Sequence, residues 1–325
     1  MFKSKKKKRF IALEINEYVI RAFVMNSQDP NQAKVYEHQL RLGIIEDDTI
    51  RDEMALYDEL KQLVNTWGIK RNEVRFFVPD SSVMMKTFEH PKDVTSDKLK
   101  AFVEMELGQT IHLPFSYPLI DVYDDKPNDG EATLFAAPSE EVIKMSGLFD
   151  DLFLTPTVAD VRSLSTIRLL ERMNMFIEKK SYLITDWSIT GVSISIYTPG
   201  NLEFLRYQTI DTPMQKWQSR QVSEQEVQSV YEGETEDYRV LLIDQIAEIE
   251  RILNFYLFSL NKGEKGVDEI IVLGDSTEMD FIVTELRSNY VTPIKLIDDS
   301  TVQSIYPNFK AKHVPLIGLA LKEVL

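Results

Sequence analysis

The chemistry open to this chain of 325 residues narrows at once, because it contains no cysteine. Disulfides, thiolate zinc sites, iron–sulfur ligation and cysteine nucleophiles are excluded. Its four histidines, His38, His90, His112 and His313, stand far apart, and none has the i, i+4 spacing of a helical metal site. They read as surface or packing residues. Carboxylates remain in quantity: 52 Asp and Glu against 37 Lys and Arg give a net charge of −15. Two of them, Glu14 and Asp186, stand at the ends of apolar strands, where a carboxylate borders a solvated cleft or holds a cation. So acidic a body argues against nucleic acid as a partner, since phosphate backbones demand a basic surface.

The sign reverses at the start of the chain. Lys3, Lys5, Lys6, Lys7, Lys8 and Arg9 place six positive charges in the first nine residues. The bland reading is a solvated leader. The sharper one is attraction to anionic lipid, at about 1 kcal/mol per basic residue near a surface. No apolar stretch or small-residue cleavage site follows the lysines, so the leader does not read as a signal peptide. No apolar run approaches the ~20 residues of a membrane span. Hydrophobic residues at 43% and charged residues at 27% are ordinary for a soluble globular protein, and the length suggests two domains. A cytoplasmic location is expected.

Elements must position the carboxylates. Residues 10–25 read as strand, tight turn, strand, with a third strand within 31–42. Helical spacing of Met54, Leu56, Leu60, Leu63, Val64 and Trp67 predicts a helix over 50–67, stopped by Gly68. A short buried strand follows at 74–78, and an extended segment at 83–89. Ser96 opens a helix carrying Leu99, Phe102, Val103 and Leu107, ended by Gly108. Strands at 119–123 and 132–137 flank a turn-rich loop, and helices are predicted at 139–153 and 158–175. A second strand–turn–strand unit then appears at 182–197, with a strand at 201–209. Residues 211–240 are polar with weak helical signals; 244–260 is the strongest helix. A strand at 269–273 and helices at 281–289 and 315–324 complete the chain. The hairpins at 10–25 and 182–197 echo one another, each opening a lobe, so the sequence predicts a duplicated α/β architecture around a cleft.

Several segments in this order and spacing resemble the type IV pilus assembly protein PilM family, of the actin-like superfamily with FtsA. They are VEMELGQTIHLPF at 103–115, FAAPSEEVIKMSGLFDDLFLTPTVADV at 135–161, AEIERILNFY at 247–256, DEIIVLGD at 268–275 and IGLALK at 317–322. The likeness runs from about residue 10 to residue 322. It implies an actin-like ATPase fold of two lobes, the first from 10–89 and 155–178 and the second from 179–325, with an FtsA/PilM-type subdomain inserted at 90–154 and a basic tail at 1–9. It also implies a cytoplasmic part of a type IV pilus, competence-pilus or related machine, peripheral to the membrane. Its partners would be the cytoplasmic N-terminal tail of a PilN-like inner-membrane protein and other pilus assembly proteins.

In the actin-like superfamily two hairpin turns and a glycine pair hold magnesium-ATP. The carboxylates hold hydrated metal, and glycine lets backbone N–H groups approach phosphate. Mapped onto this chain, the first turn reads Glu14-Ile15-Asn16-Glu17, with the Asn16 side chain in phosphate's space and Glu17 adding charge where a polyanion should sit. The second reads Asp186-Trp187-Ser188, with Thr190 and Gly191 following; Asp186 is the magnesium ligand if ATP binds. The adenosine-side pair reads Gly274-Asp275. A degenerate site, and a scaffold rather than an enzyme, is the expectation, with no cofactor or else magnesium-ATP. The partner tail is expected in a groove between the inserted subdomain and the first lobe, near 97–107, with Phe102, Phe115 and Tyr117 as anchors or else as subdomain core. Two alternatives stay open. One is an active ATPase whose nucleotide state switches partner binding. The other is an FtsA-like membrane-tethered polymer, for which the lysine leader would have to replace an amphipathic C-terminal tail.

Overall fold

A computed structural model describes residues 10–27 and 29–323. The basic leader at 1–9 lies outside the described residues. The first lobe opens with β1 (Phe10–Ile15), β2 (Val19–Met25) and β3 (Lys34–Gln39), an antiparallel meander. A two-residue turn joins the short strands β4 (Ile45–Glu46) and β5 (Thr49–Ile50). Both of its residues, Asp47 at φ 50° and Asp48 at φ 57°, are left-handed, as a tight hairpin of this hand requires. Helix α1 (Glu53–Thr66) is capped by the Asp52 carboxylate on Ala55 N–H and leads to β6 (Glu73–Phe77), parallel to β1.

An inserted unit follows. Strands β7 (Met84–Glu89), β8 (Pro118–Tyr123) and β9 (Glu131–Pro138) form an antiparallel sheet in the order β7-β9-β8, so β8 is an edge strand. Helix α2 (Leu99–Glu106) covers one face, on which Phe88, Leu134 and Val103 are buried. The sheet thus begins at Met84, ahead of the boundary expected at 90. Helix α3 (Ser139–Asp151) packs the other way, with Leu148 and Phe149 buried against α1 and β6 of the first lobe.

β10 (Thr155–Asp160) pairs parallel with β6, and α4 (Arg162–Arg172) follows. The helix predicted from 158 is therefore partly strand. The Thr-Pro-Thr-Val run is extended because it is an edge strand, where Pro156 forfeits no ladder bond that matters.

The second lobe repeats the first. β11 (Tyr182–Trp187), β12 (Gly191–Thr198) and β13 (Asn201–Thr209) form the meander. Next come the hairpin β14 (Trp217–Ser223) and β15 (Glu226–Tyr231), then α5 (Thr235–Asn254), extended by a π-turn through Leu260. β16 (Glu269–Gly274), α6 (Met279–Asn289), β17 (Ile294–Leu296), α7 (Asp299–Gln303) and α8 (Val314–Ala320) end the chain. The two main sheets run β10-β6-β1-β2-β3 and β13-β12-β11-β16-β17: in each, a meander is extended by two parallel strands beside its first strand. The echo between residues 10–25 and 182–197 is thus a repeat of topology.

Two further elements depart from the sequence reading. Residues 217–231 are a hairpin rather than weak helix, because their few apolar anchors, Trp217 and Val227, leave no amphipathic period to detect. Helix α8, placed by sequence with the second lobe, returns to the first and lies on α4, β1 and β2. Its contact with α4 is as close as backbone allows: a Cβ on Gly318 would lie 1.8 Å from the Ser165 carbonyl oxygen. Between the two sheets, α4 and α8 share one continuous core with Phe23, Tyr182, Ile184 and Leu273, so the lobes are welded at their base.

Candidate functional site

The turn after β1 is closed by its own side chain. Asn16 Oδ1 accepts from Tyr18 N–H (3.3 Å) and Val19 N–H (3.0 Å), the backbone donors a phosphate would use. Asn16 is not left-handed; it closes the turn by hydrogen bonding instead. Glu14, almost fully buried at the end of β1, binds two arginines. Arg162 Nη1 lies 2.5 Å from Glu14 Oε1, and Arg21 Nη1 3.2 Å from Glu14 Oε2. Burial alone would raise the Glu14 carboxyl, but the two guanidinium groups hold it below the ordinary value.

Arg162 is the first residue of α4, which aims it across the cleft. Its Nε donates to Asp186 Oδ2 at 2.9 Å, so one guanidinium joins the carboxylates of both turns. Burial pushes the Asp186 carboxyl up, only partly offset by Arg162. Asp80, after β6, stands 3.9 Å from the same Nε and accepts from Ser193 Oγ of the second lobe at 3.2 Å. Burial, with Asp48 and Asp186 nearby, pushes it up to about 7 against the pull of Arg162.

A second cross-cleft link runs through Arg21 on β2. Its Nη2 bonds to Asp275 Oδ2, while Tyr18 OH donates to Asp275 Oδ1 at 2.9 Å. Asp275 follows Gly274, whose φ of +133° and close approach to β11 admit no side chain: a Cβ would lie 2.0 Å from Trp187 O. Trp187 O instead accepts from Asp275 N–H at 2.8 Å. This glycine serves strand contact.

The remaining turn residues are engaged too. Ser188 N–H and Oγ both bond to Gly191 O, at 2.8 and 3.0 Å, and Thr190 O accepts from Ile210 N–H at 2.8 Å. Glu17 Oε1 accepts from Asp47 N–H at 2.8 Å; burial and the acidic residues of the β4–β5 turn raise its carboxyl to about 7. The N–H groups and carboxylates that a phosphate–magnesium pair would need are therefore already committed, and this arrangement does not fit that pair. Among the described residues no group of three acidic or histidine side chains is placed to hold a metal.

Glu37 on β3 forms a third junction, fully buried. It accepts from Val227 N–H (2.7 Å), from Lys312 Nζ (2.8 Å) and from His313 Nε2 (3.0 Å). His313 Nδ1 accepts from Lys310 N–H at 3.1 Å, so the ring is neutral with its proton on Nε2; burial keeps its affinity for a second proton low. These partners, with Arg21, overcome burial and hold the Glu37 carboxyl at about 2. The β14–β15 hairpin is thereby strapped over β3.

A separate open groove has a volume of about 320 Å³. The face of the inserted sheet that α2 leaves uncovered forms one wall, with Tyr123 and Phe135. Leu164 and Ile167 of α4 form the floor, and Leu202 with the Gly200 turn closes the second-lobe side. Arg168, Glu171 and Asp121 supply charge at its rim. Tyr197 OH bonds to Glu171, and Tyr123 OH donates to Gly200 O at 2.9 Å, so all three units meet here. Of the anchors expected from sequence, Phe102 packs against Phe88 in the core under α2, and Phe115 is half-buried. Tyr117 is 81% exposed and begins the same stripe of β8 that continues through Leu119 and Asp121 to Tyr123.

Arg21, Glu37, Asp80 and Arg162 escaped the sequence reading. Arg21 alone carried a signal: a charge within the apolar strand VIRAFVM must find partners.

The profile of a family described as type IV pilus assembly protein PilM matches residues 15–315. A solved PilM–PilN type IV pilus biogenesis complex superposes with a TM-score of 0.74 at 14% identity, covering 96% of this chain and 97% of that one. A Bacteroides thetaiotaomicron protein of unknown function with an actin-like ATPase fold gives 0.50 at 10% identity, with 98% of each chain covered. MreB5 of Spiroplasma citri bound to ADP gives 0.53 at 11% identity, covering 97% and 96%. No curated protein sequence matches the chain. The duplicated lobes are those of the actin-like ATPase fold.

Proposed function

The chain belongs to the type IV pilus assembly protein PilM family, and from that membership we propose that it is a non-catalytic scaffold of a type IV pilus, competence-pilus or related machine. It holds the cytoplasmic tail of a PilN-like membrane protein, and through that tail it is peripheral to the membrane. The observation that carries the reading is Arg162. One guanidinium occupies both carboxylates on which a nucleotide's metal would depend, 2.5 Å from Glu14 and 2.9 Å from Asp186. Displacing it would leave buried carboxylates facing one another, at a cost of several kcal/mol.

With the cleft self-satisfied, the open groove is the place for a partner. Its apolar floor, charged rim and free β8 edge suit an extended segment that adds main-chain bonds along a strand and seats alternate side chains. The tail is placed along β8 from Tyr117 to Tyr123 and under Phe135. Other pilus assembly proteins are expected on the remaining surfaces, and anionic lipid at Lys3 to Arg9. No helix among the described residues is long and apolar enough to cross a membrane.

The test is titration of a fluorescein-labelled peptide carrying the N-terminal segment of the PilN-like partner. Leu164→Glu is expected to weaken binding at least tenfold while the melting temperature holds. Unchanged binding in a folded Leu164→Glu protein rules out this groove.

A further inference from the structure

The groove and the cleft have different linings, yet one helix belongs to both. Arg162, the first residue of α4, makes the cross-cleft link to Asp186, while Leu164, Ile167 and Glu171 of the same helix wall the groove. From Arg162 to Glu171 is roughly 13 Å of rigid helix. Helix α4 cannot tilt freely, because Gly318 of α8 sits on the Ser165 carbonyl with no spare space. Arg168 adds a bond to Gly318 O at 2.9 Å.

The groove is also walled by all three units of the molecule. Tyr123 and Phe135 come from the inserted unit, Leu164 and Ile167 from the first lobe, and Gly200 and Leu202 from the second. Turning one lobe against the other shifts the second-lobe wall relative to the other two. Beside the Ser193–Asp80 bond and the Glu37 junction, two charge pairs in the cleft oppose separation: Arg162 to Asp186, and Arg21 with Tyr18 to Asp275. All are substantially buried, where a pair resists opening far more than it would at the surface.

We propose that these two cross-cleft charge pairs set the affinity of the groove, the chain's own arginines tying the lobes together. Partner docking and lobe closure are then one equilibrium. The pairs hold the competent shape, and by reciprocity a docked tail tightens the cleft. Arg21 and Arg162 are positioning residues for a partner they never touch. This rests on the groove reading above.

The test weakens both ties from the second-lobe side with Asp186→Asn and Asp275→Asn, singly and together, so that the amides retain part of the hydrogen bonding. The absence of native cysteine allows spin labels at Gln62→Cys on α1 and Ser288→Cys on α6, both exposed, to report lobe separation by pulsed electron resonance. Three results are expected. The parent protein gives one narrow distance; the double variant gives a broader, longer distribution and binds the labelled tail peptide at least tenfold more weakly; and saturating peptide narrows the distribution again. If the folded double variant binds within twofold of the parent while Leu164→Glu abolishes binding, the coupling is overturned and the groove stands. If the parent binds no peptide, or Leu164→Glu binds normally, the groove reading fails and takes the coupling with it. Should the double variant prove unfolded, Asp275→Asn alone decides, since Asp186 then keeps its arginine: binding within twofold of the parent, with an unchanged distance distribution, overturns the coupling.

Discussion

The cleft and the groove invert one another. In the cleft, polar groups from both lobes point at each other and pair inside the chain: Arg162 on Glu14 and Asp186, Arg21 on Glu14 and Asp275, Asn16 on two backbone amides. In the groove, apolar side chains of Tyr123, Phe135 and Leu164 border space that no described residue fills. A buried charge must be paired, whereas an open apolar wall gains by being covered. A cavity's position in a fold therefore says less about its use than whether its polar atoms already have partners.

The comparison breaks most violently at Arg162. Arg162→Met keeps the aliphatic stem and removes the charge, leaving Glu14 with one arginine and Asp186 with none. Loss of one partner of a buried pair costs about 3–5 kcal/mol, read as a lower urea midpoint with an unchanged slope. If the cleft is a stability device, adding Glu14→Gln and Asp186→Asn to the same chain recovers much of the loss, because no charge is then left unpaired. A triple variant as unstable as the single would mean that packing of the arginine stem is what mattered.

Stability against pH separates the cleft's carboxylates from each other. Glu37 is held at about 2, below its ordinary 4.5. Its contribution is present above that ordinary value and is lost as pH falls through about 2. At ~1.4 kcal/mol per unit this amounts to roughly 3 kcal/mol. Asp80 has the opposite sign. Raised from 3.8 to about 7, it favours the fold below its ordinary value, and that favour is lost as pH rises through about 7. Asp80→Asn should therefore be more stable than the parent at pH 8, by roughly 3–4 kcal/mol, and close to it at pH 4. Glu37→Gln should flatten the acid limb and leave the alkaline one. Urea melts from pH 3 to 8 decide; parallel curves for Asp80→Asn and the parent would refute its assignment.

In the groove the expected effects are on binding, with little on stability. Tyr123→Ala removes a half-exposed ring and one bond to Gly200 O. A central aromatic anchor is worth about 1–2 kcal/mol of binding, so peptide affinity should fall roughly tenfold while the melting temperature barely moves. Phe102→Ala is the control: it creates a cavity under α2 and should lower stability. Loss of binding in Phe102→Ala at unchanged stability would reverse the two roles.

How far the sequence reached follows the same division. The hairpins at 10–25 and 182–197, α1 and the 269–274 strand were legible because alternation and helical spacing record burial directly. Glu14, Asn16, Asp186 and Asp275 were found as turn residues by family resemblance, but what they bond was not. Asn16 bonds the nearby Tyr18 and Val19 amides, but the carboxylates pair with Arg162, 148 residues from Glu14, and Arg21, 254 residues from Asp275, and no local pattern encodes such pairs. The β14–β15 hairpin was missed because its stability comes from strapping onto Glu37 rather than from a face of its own. The sequence reading set the partner groove near 97–107, whereas the open groove of the structure lies on the sheet face that α2 leaves uncovered. Phe102 and Tyr117 are equally aromatic in sequence, and only the pairing register shows that β8 turns its odd-numbered residues away from α2.

The smallest expected effect is the one with magnesium-ATP. A ligand that binds only the folded state raises stability by RT ln(1 + [L]/Kd), which is ~0.4 kcal/mol when the ligand equals its Kd. To bind, the nucleotide must expel Arg162 from two carboxylates, take the Tyr18 and Val19 amides from Asn16, and place phosphate beside Glu17 and Asp275. Each displacement carries the cost of leaving a buried group without its partner. Millimolar magnesium-ATP should therefore leave the melting temperature where it was and give no heat in a calorimeter, in the parent and in Asp186→Ala alike. A shift in the parent that vanishes in Asp186→Ala would mean that Arg162 swings aside and that the cleft is a second binding site. The contrast between an internally paired cleft and an open groove would then describe only one state of the molecule, and the partner-switching ATPase would be the better account.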